Sequence, residues 1–227
     1  MHIGMIGGIG PAATEFYYRN LVKAFAAVHE KMELTIVHAE AGELVSNVVA
    51  NAPQKQAELF LRLALRLEAA GADVIVIFSI AGHFCIPEFE RLSPLPIVSA
   101  IPALESEIAS RRLQKVGLIG NRVSMDSRLF GGISSADVVV PSGNDLDVVH
   151  DEYTKMATTG TVDTRQRELL FSIGKELCEK QDAEAVVLAG TDLFLAFDGA
   201  ECGFDVIDSA LVHIDALCRM AIESPIG

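Results

Sequence analysis

The chain carries a diverged second copy of its own strands, and an internal repeat constrains a fold more tightly than composition does. Ala72-Asp73-Val74-Ile75-Val76-Ile77-Phe78-Ser79 is answered, roughly 110 residues on, by Ala183-Glu184-Ala185-Val186-Val187-Leu188-Ala189-Gly190. Ile3-Gly4-Met5-Ile6-Gly7 is answered by Val116-Gly117-Leu118-Ile119-Gly120, and Ile97-Val98-Ser99-Ala100 by Val206-Ile207-Asp208-Ser209. Three apolar runs thus recur in the same order at nearly constant spacing. The repeat predicts an α/β fold of two pseudo-symmetric halves, each with a mostly parallel four-stranded sheet, facing across a cleft. It also sets Ser79 against Gly190 at matching strand ends.

Short continuous apolar runs alternate with helical patterns, the mark of a parallel sheet covered on both faces. Strands are predicted over residues 3–7, 34–38, 74–78 and 96–98, and again near 116–119, 138–140, 185–189 and 205–207. Pro11 and Pro53 suit the first turns of helices, where a missing N–H costs nothing. Residues 40–52 read as a loop, and 145–158 and 163–180 as helices. A final helix over 209–222 is expected to cross back onto the first half. The halves are then residues 1–98 plus 209–227, and residues 99–208.

A chain of 227 residues, half of them hydrophobic, can bury a substantial core. It has no run of 18 or more apolar residues without charge, which predicts no membrane span. A net charge of −13 without a basic cluster argues against nucleic acid and anionic membranes as partners. Cys85, Cys178, Cys202 and Cys218 form no CxxC pair. That pattern points to free thiols in a reducing compartment and to no metal site. The first residues show no leader-like pattern, so a cytoplasmic location is the expectation.

In open parallel sheets, ligands bind beyond the carboxyl ends of the strands. Four such ends carry candidate residues: Gly7-Gly8-Ile9-Gly10-Pro11, Ser79-Ile80-Ala81-Gly82-His83, Gly120-Asn121-Arg122-Val123-Ser124 and Gly190-Thr191-Asp192. Gly8, Gly10 and Pro11 allow close backbone approach, and the helix that follows favours an anionic group. Gly8-x-Gly10-x-x-Ala13 matches a dinucleotide fingerprint loosely. The first acidic residue after the second strand is Glu40, too far on for that fingerprint, and the repeat is not a six-strand nucleotide fold.

These strand ends resemble the aspartate/glutamate racemase superfamily. Met5-Ile6-Gly7-Gly8-Ile9-Gly10-Pro11-Ala12-Ala13-Thr14 is similar to that family's N-terminal glycine-rich motif. Leu118-Ile119-Gly120-Asn121-Arg122-Val123-Ser124-Met125 resembles its second-half counterpart, and Val206-Ile207-Asp208-Ser209 with Val212-His213-Ile214-Asp215 its closing segment. The resemblance implies a cofactor-independent isomerase acting at the α-carbon of a small amino acid or related carboxylic acid. Two acid/base residues, usually cysteines, would exchange the α-proton from the paired third-strand ends. Here those positions hold Ser79 and Gly190. Ile80 and Ala81 stand where the family has Asn-Thr, and Asp192 stands for its glutamate. No Arg lies between Arg19 and Arg62, where acidic-substrate members place one. Superfamily members are commonly dimers, which leaves a homodimer open.

The remaining candidates each carry two readings. His83, four residues after Ser79, either forms an acid/base pair with that hydroxyl or only hydrogen-bonds the loop. Cys85 is either a thiol activated at a helix N-terminus or a small apolar side chain packed between Phe84 and Ile86. Asp192 is either a base or ammonium ligand, or an N-cap for a short helix over 193–197. Thr14, Asn121, Ser124 and Thr191 are polar lining of the same ends. Asn47, Asn51, Lys55 and Lys155 carry a weak specificity signal. With Gly190 lacking a proton to exchange, one-sided decarboxylation or lyase chemistry, and non-catalytic ligand binding, remain alternatives.

Overall fold

The computed structural model describes residues 1–223. The chain packs into two units, Met1–Ser99 together with the chain from His213 onward, and Ala100–Val212. Residues 224–227, which the sequence reading assigns to the first half, lie outside the described residues.

The first unit runs β1 (His2–Gly7), α1 (Pro11–Ala27), β2 (Glu33–His38), α2 (Ala41–Val49), α3 (Pro53–Ala69), β3 (Val74–Ile77), α4 (Ile86–Glu90) and β4 (Ile97–Val98). Its sheet has the order β2-β1-β3-β4, all neighbours parallel. Parallel pairing forces a crossover after each strand, and α1 and α3 supply two of them. The four residues of β3, Val-Ile-Val-Ile, are all buried. β-branched side chains on both faces suit a strand that is covered on both sides. The helix α3 turns Ala57, Phe60, Leu63, Ala64 and Leu67 inward at helical spacing, and they pack with Ile6, Ile75 and Ile77 of the sheet.

The stretch 40–52 is not a plain loop, because α2 occupies Ala41–Val49. Its N-cap, Glu40, makes no side-chain capping bond, and its second residue is Gly42, so local signals for a helix are weak. Packing holds it instead. Leu44 is buried, and Asn47 Nδ2 donates to Gln56 Oε1 of α3 at 2.8 Å with both side chains out of water.

The second unit runs α5 (Ala100–Ser110), β5 (Lys115–Gly120), α6 (Arg122–Asp126), β6 (Asp137–Val139), α7 (Asn144–Thr159), α8 (Thr164–Gln181), β7 (Ala185–Ala189), α9 (Phe194–Phe197) and β8 (Val206–Asp208). Its sheet, β6-β5-β7-β8, repeats the strand permutation of the first, again all parallel. A capping box starts α8: the Asp163 carboxylate accepts from Gln166 N–H at 2.7 Å, and the Gln166 side chain answers the Asp163 N–H at 3.1 Å. The last helix, α10 (Ser209–Glu223), begins in the second unit and counts with the first from His213.

The registers confirm the equivalence read from the repeat. Ile6 of β1 pairs with Ile77 of β3, and Ile119 of β5 with Leu188 of β7. Two residues beyond each third-strand partner lie Ser79 and Gly190. Among the described residues, no helix is long and apolar enough to cross a membrane, and no group of three His, Cys, Asp or Glu is placed to hold a metal ion.

Candidate active site

In the first unit the chain leaves β1 through Gly8, which sits at φ +90°. A Cβ there would lie 2.2 Å from His38 Nδ1 and 2.8 Å from the Ala39 carbonyl oxygen, so both space and backbone demand glycine. Thr14 locks this turn. Its hydroxyl accepts from the Gly8 N–H at 2.9 Å and donates to the Gly10 carbonyl at 3.0 Å. The hydroxyl is thus engaged in shaping the loop. Gly10 is the N-cap of α1 and offers no side chain, Pro11 takes the first turn, and no acidic residue stands there. The first turn of α1 therefore keeps its partial positive charge uncompensated by a local carboxylate.

At the end of β3, Ser79 is 7% exposed. Its hydroxyl accepts from the Gly82 N–H at 3.3 Å, within a 3₁₀ turn over Ala81–Cys85. Ser79 and His83 do come together, but through the Ser79 backbone: His83 Nδ1 lies 2.8 Å from the Ser79 carbonyl oxygen. A carbonyl only accepts, so Nδ1 carries the proton and Nε2 is the basic nitrogen of a neutral ring. Burial lowers the His83 pKa to about 4, against the partial support of that hydrogen bond. Of the two readings of this spacing, the hydrogen bond to the loop is the one made through Nδ1, and the hydroxyl–imidazole pair does not form through that nitrogen.

A second buried ring stands in the same unit. His213 is fully buried, with Nε2 3.0 Å from the Val98 carbonyl and Nδ1 3.2 Å from the Tyr17 hydroxyl. Tyr17 itself stacks on Phe78, the residue before Ser79, at 4.0 Å between ring centroids. Burial lowers the His213 pKa to about 3, and the His83 ring adds to the effect.

Cys85 belongs to the core. It is fully buried, its Sγ donates to the Gly82 carbonyl at 3.4 Å, and burial pushes its pKa up to about 12. A thiol so held stays protonated at neutral pH, the opposite of an activated nucleophile. Helix α4 starts only after it, and Glu88 nearby raises the pKa further.

In the second unit Asn121 caps α6, its Oδ1 accepting from the Ser124 N–H at 3.0 Å. Ser124 Oγ bonds the Asn121 carbonyl at 3.0 Å and the Ala189 carbonyl at 2.9 Å, and Asn121 Nδ2 reaches the same Ala189 oxygen at 3.4 Å. These two side chains therefore tie the exit of β5 to the end of β7. Lys155 is likewise engaged. Together with Arg165 it holds the buried Glu152 carboxylate, at 3.0 and 2.9 Å.

Gly190 leaves β7 in an extended conformation, followed by a 3₁₀ turn over Thr191–Leu193. Thr191 is 3% and Asp192 2% exposed. The capping reading of Asp192 does not hold, since neither the 3₁₀ turn nor α9 has a side-chain cap and Leu193 precedes α9. The carboxylate instead accepts from the Tyr153 hydroxyl, Oη to Oδ2, at 3.4 Å. Tyr153, on α7, is a residue the sequence reading missed.

The chain matches the family model described as Asp/Glu/Hydantoin racemase over residues 6–217. Its structure is similar to that of an aspartate racemase homologue from Pyrococcus horikoshii OT3, at 26% identity and a TM-score of 0.80, with 97% of this chain and 99% of that one covered. It is also similar in fold to an aspartate racemase from Picrophilus torridus, at 19% identity and a TM-score of 0.77, covering 97% and 94%. A match of that extent, on a duplicated parallel sheet of this order, places the protein: the chain belongs to the Asp/Glu/Hydantoin racemase family of enzymes.

Proposed function

We propose that this chain is a cofactor-independent, racemase-like isomerase that moves a proton at the α-carbon of a small amino acid or related carboxylic acid. The observation that carries the reading is the polar strand end of each unit. Ser79 with His83, and Thr191 with Asp192, are all nearly buried at the equivalent ends of β3 and β7. Buried polar side chains gathered at strand ends, beyond the apolar sheets, are what a ligand site requires. Gly8, Gly10 and Pro11 would receive the substrate carboxylate at the open first turn of α1. Ser79, His83 and Asp192 are assigned to proton transfer and to holding the amino group. The thiol of Cys85 is left out because the core holds it protonated. A small molecule in the cytoplasm, acted on by a monomer or a homodimer, completes the reading.

A second reading is favoured by Gly190, which brings no side chain to its strand end. One-sided chemistry, a decarboxylation or lyase step, needs a single proton-transfer group. Both are tested by incubating the chain in D₂O with L- and D-amino acids and simple 2-substituted acids, following the α-proton by NMR. The proposal expects one compound to lose its α-proton signal and to yield both enantiomers, with at least a 100-fold fall in Asp192→Asn. A single enantiomer of product selects the one-sided reading. Saturable binding without any exchange refutes the racemase reading, and binding without exchange or turnover refutes both.

A further inference from the structure

The two units present equivalent strand ends with different side chains. Ser79 supplies a hydroxyl at the end of β3. Gly190 supplies nothing at the end of β7, yet the space is not empty. A Cβ built on Gly190 would lie 2.4 Å from Cε2, 2.7 Å from Cζ and 3.0 Å from Oη of Tyr153. The edge of the tyrosine ring, with the hydroxyl beside it, occupies the volume that a side chain just past β7 would take. Tyr153 lies on the side of α7 that faces inward. Val149 and Met156 are buried on the same helix, and Glu152 is pinned by Lys155 and Arg165. The ring is only partly buried, its hydroxyl donates to the buried Asp192 carboxylate, and Thr191 bonds it as well.

We infer that Tyr153 is the proton donor at the second unit's strand end, delivering from Oη the proton that a side chain on Gly190 does not carry. The inference rests on the function proposed above. In the step, the O–H bond of Tyr153 breaks and a C–H bond forms at the substrate α-carbon. The new bond uses the electron pair that α-deprotonation left delocalised into the carboxylate. The O–H pair stays on the phenolate, and solvent water returns the proton. Burial and the neighbouring Asp192 carboxylate hold the phenol well above its ordinary pKa, so it is present as the acid at neutral pH. The same carboxylate makes the phenolate short-lived, which favours its reprotonation.

The test is Tyr153→Phe, which keeps the ring over Gly190 and removes only the hydroxyl. It is run in D₂O on the compound whose α-proton exchanges in the wild-type chain, with chiral analysis of the product. The expected result is a fall of at least 100-fold in formation of the opposite enantiomer. Deuterium continues to enter the starting enantiomer, because the remaining proton-transfer group still takes and returns a proton. A role limited to packing would not separate these two rates. A second variant pair guards against a folding defect. Tyr153→Ala alone loses inversion, and Gly190→Cys added to it, placing a thiol in the vacated volume, restores inversion at least 10-fold. Unchanged inversion in Tyr153→Phe overturns the inference and leaves the proposed function standing, and so does equal loss of inversion and exchange. A wild-type chain that exchanges no α-proton overturns both.

Discussion

His213 should make the stability of this protein fall as pH drops from neutral, by an amount the structure sets. The imidazole is fully buried, both its nitrogens are bonded, and its pKa is held at about 3 in the folded chain. In the unfolded chain it titrates near 6.5, so between those values the unfolded state binds the extra proton. Stability is therefore complete above about pH 6.5 and declines below it by about 1.4 kcal/mol per pH unit, levelling only below the folded pKa. Carried through the linkage relation, the loss from this one side chain is about 1.4 kcal/mol at pH 5.5 and about 2 kcal/mol at pH 5.0, relative to pH 7.5. His83, at about 4, acts in the same direction, while Asp208, raised to about 6 by burial, acts in the other. The total pH profile thus mixes signs, and the clean observable is a difference. His213→Asn removes the titrating group. Urea unfolding followed by circular dichroism at pH 7.5, 6.5, 5.5 and 5.0 gives the stability gap between wild type and variant. That gap should shrink by about 2 kcal/mol, roughly 30-fold in the folding equilibrium, from the first pH to the last. A gap that stays constant over this range would refute the reasoning, since it would mean that the ring protonates equally in both states.

Two further outcomes follow from local geometry. Asp163→Ala removes the capping box of α8 and should destabilise the chain by about 1 kcal/mol in the same urea assay, with Asp163→Asn recovering most of it. Cys85 should resist a disulfide-exchange reagent in the native chain and react only as fast as the chain unfolds, while the partly buried Cys202 reacts ahead of it, with labelled peptides located by mass spectrometry. Labelling of native Cys85 would contradict its place in the core.

Much of the architecture was legible because the parallel strands announce themselves. Runs such as Val74-Ile75-Val76-Ile77 are too short for helices and buried on both faces, and their repetition reveals the strand order of one unit from the other. Helix α2 was not legible, because Glu43 in its first turn is a weak start signal beside an uncapped Glu40 and Gly42, and the helix is held by Leu44 in the core and by Asn47 meeting Gln56 of a different helix. The same limit applies at the site. The spacing of Ser79 and His83 predicts contact, and contact occurs, but spacing does not say whether the hydroxyl or the carbonyl receives the imidazole N–H. Thr14, Asn121 and Ser124 are polar at the expected places. Each also satisfies backbone groups of its own turn, a demand of burial that a sequence motif does not display.

Tyr153 marks where reading the sequence had to stop and what would have pointed further. The repeat aligns Gly190 with Ser79, so one unit has a side chain at its strand end and the other a deletion. Protein interiors are packed as densely as organic crystals, and a missing side chain at a nearly closed strand end leaves a void that some neighbour has to fill. The filler must come from an element that passes over the strand end, and in the second unit α7 and the turn after β7 are in contact. Along the side of α7 that carries Val149, Glu152 and Met156, Tyr153 is the one residue with a large ring and a polar tip. A glycine set against a polar residue in a repeat is thus a signal in itself: it directs attention to a neighbouring helix for the group that has taken its place. Whether that group is only a filler or the proton donor is decided by its hydroxyl, which is why Tyr153→Phe, and not Tyr153→Ala alone, is the decisive substitution.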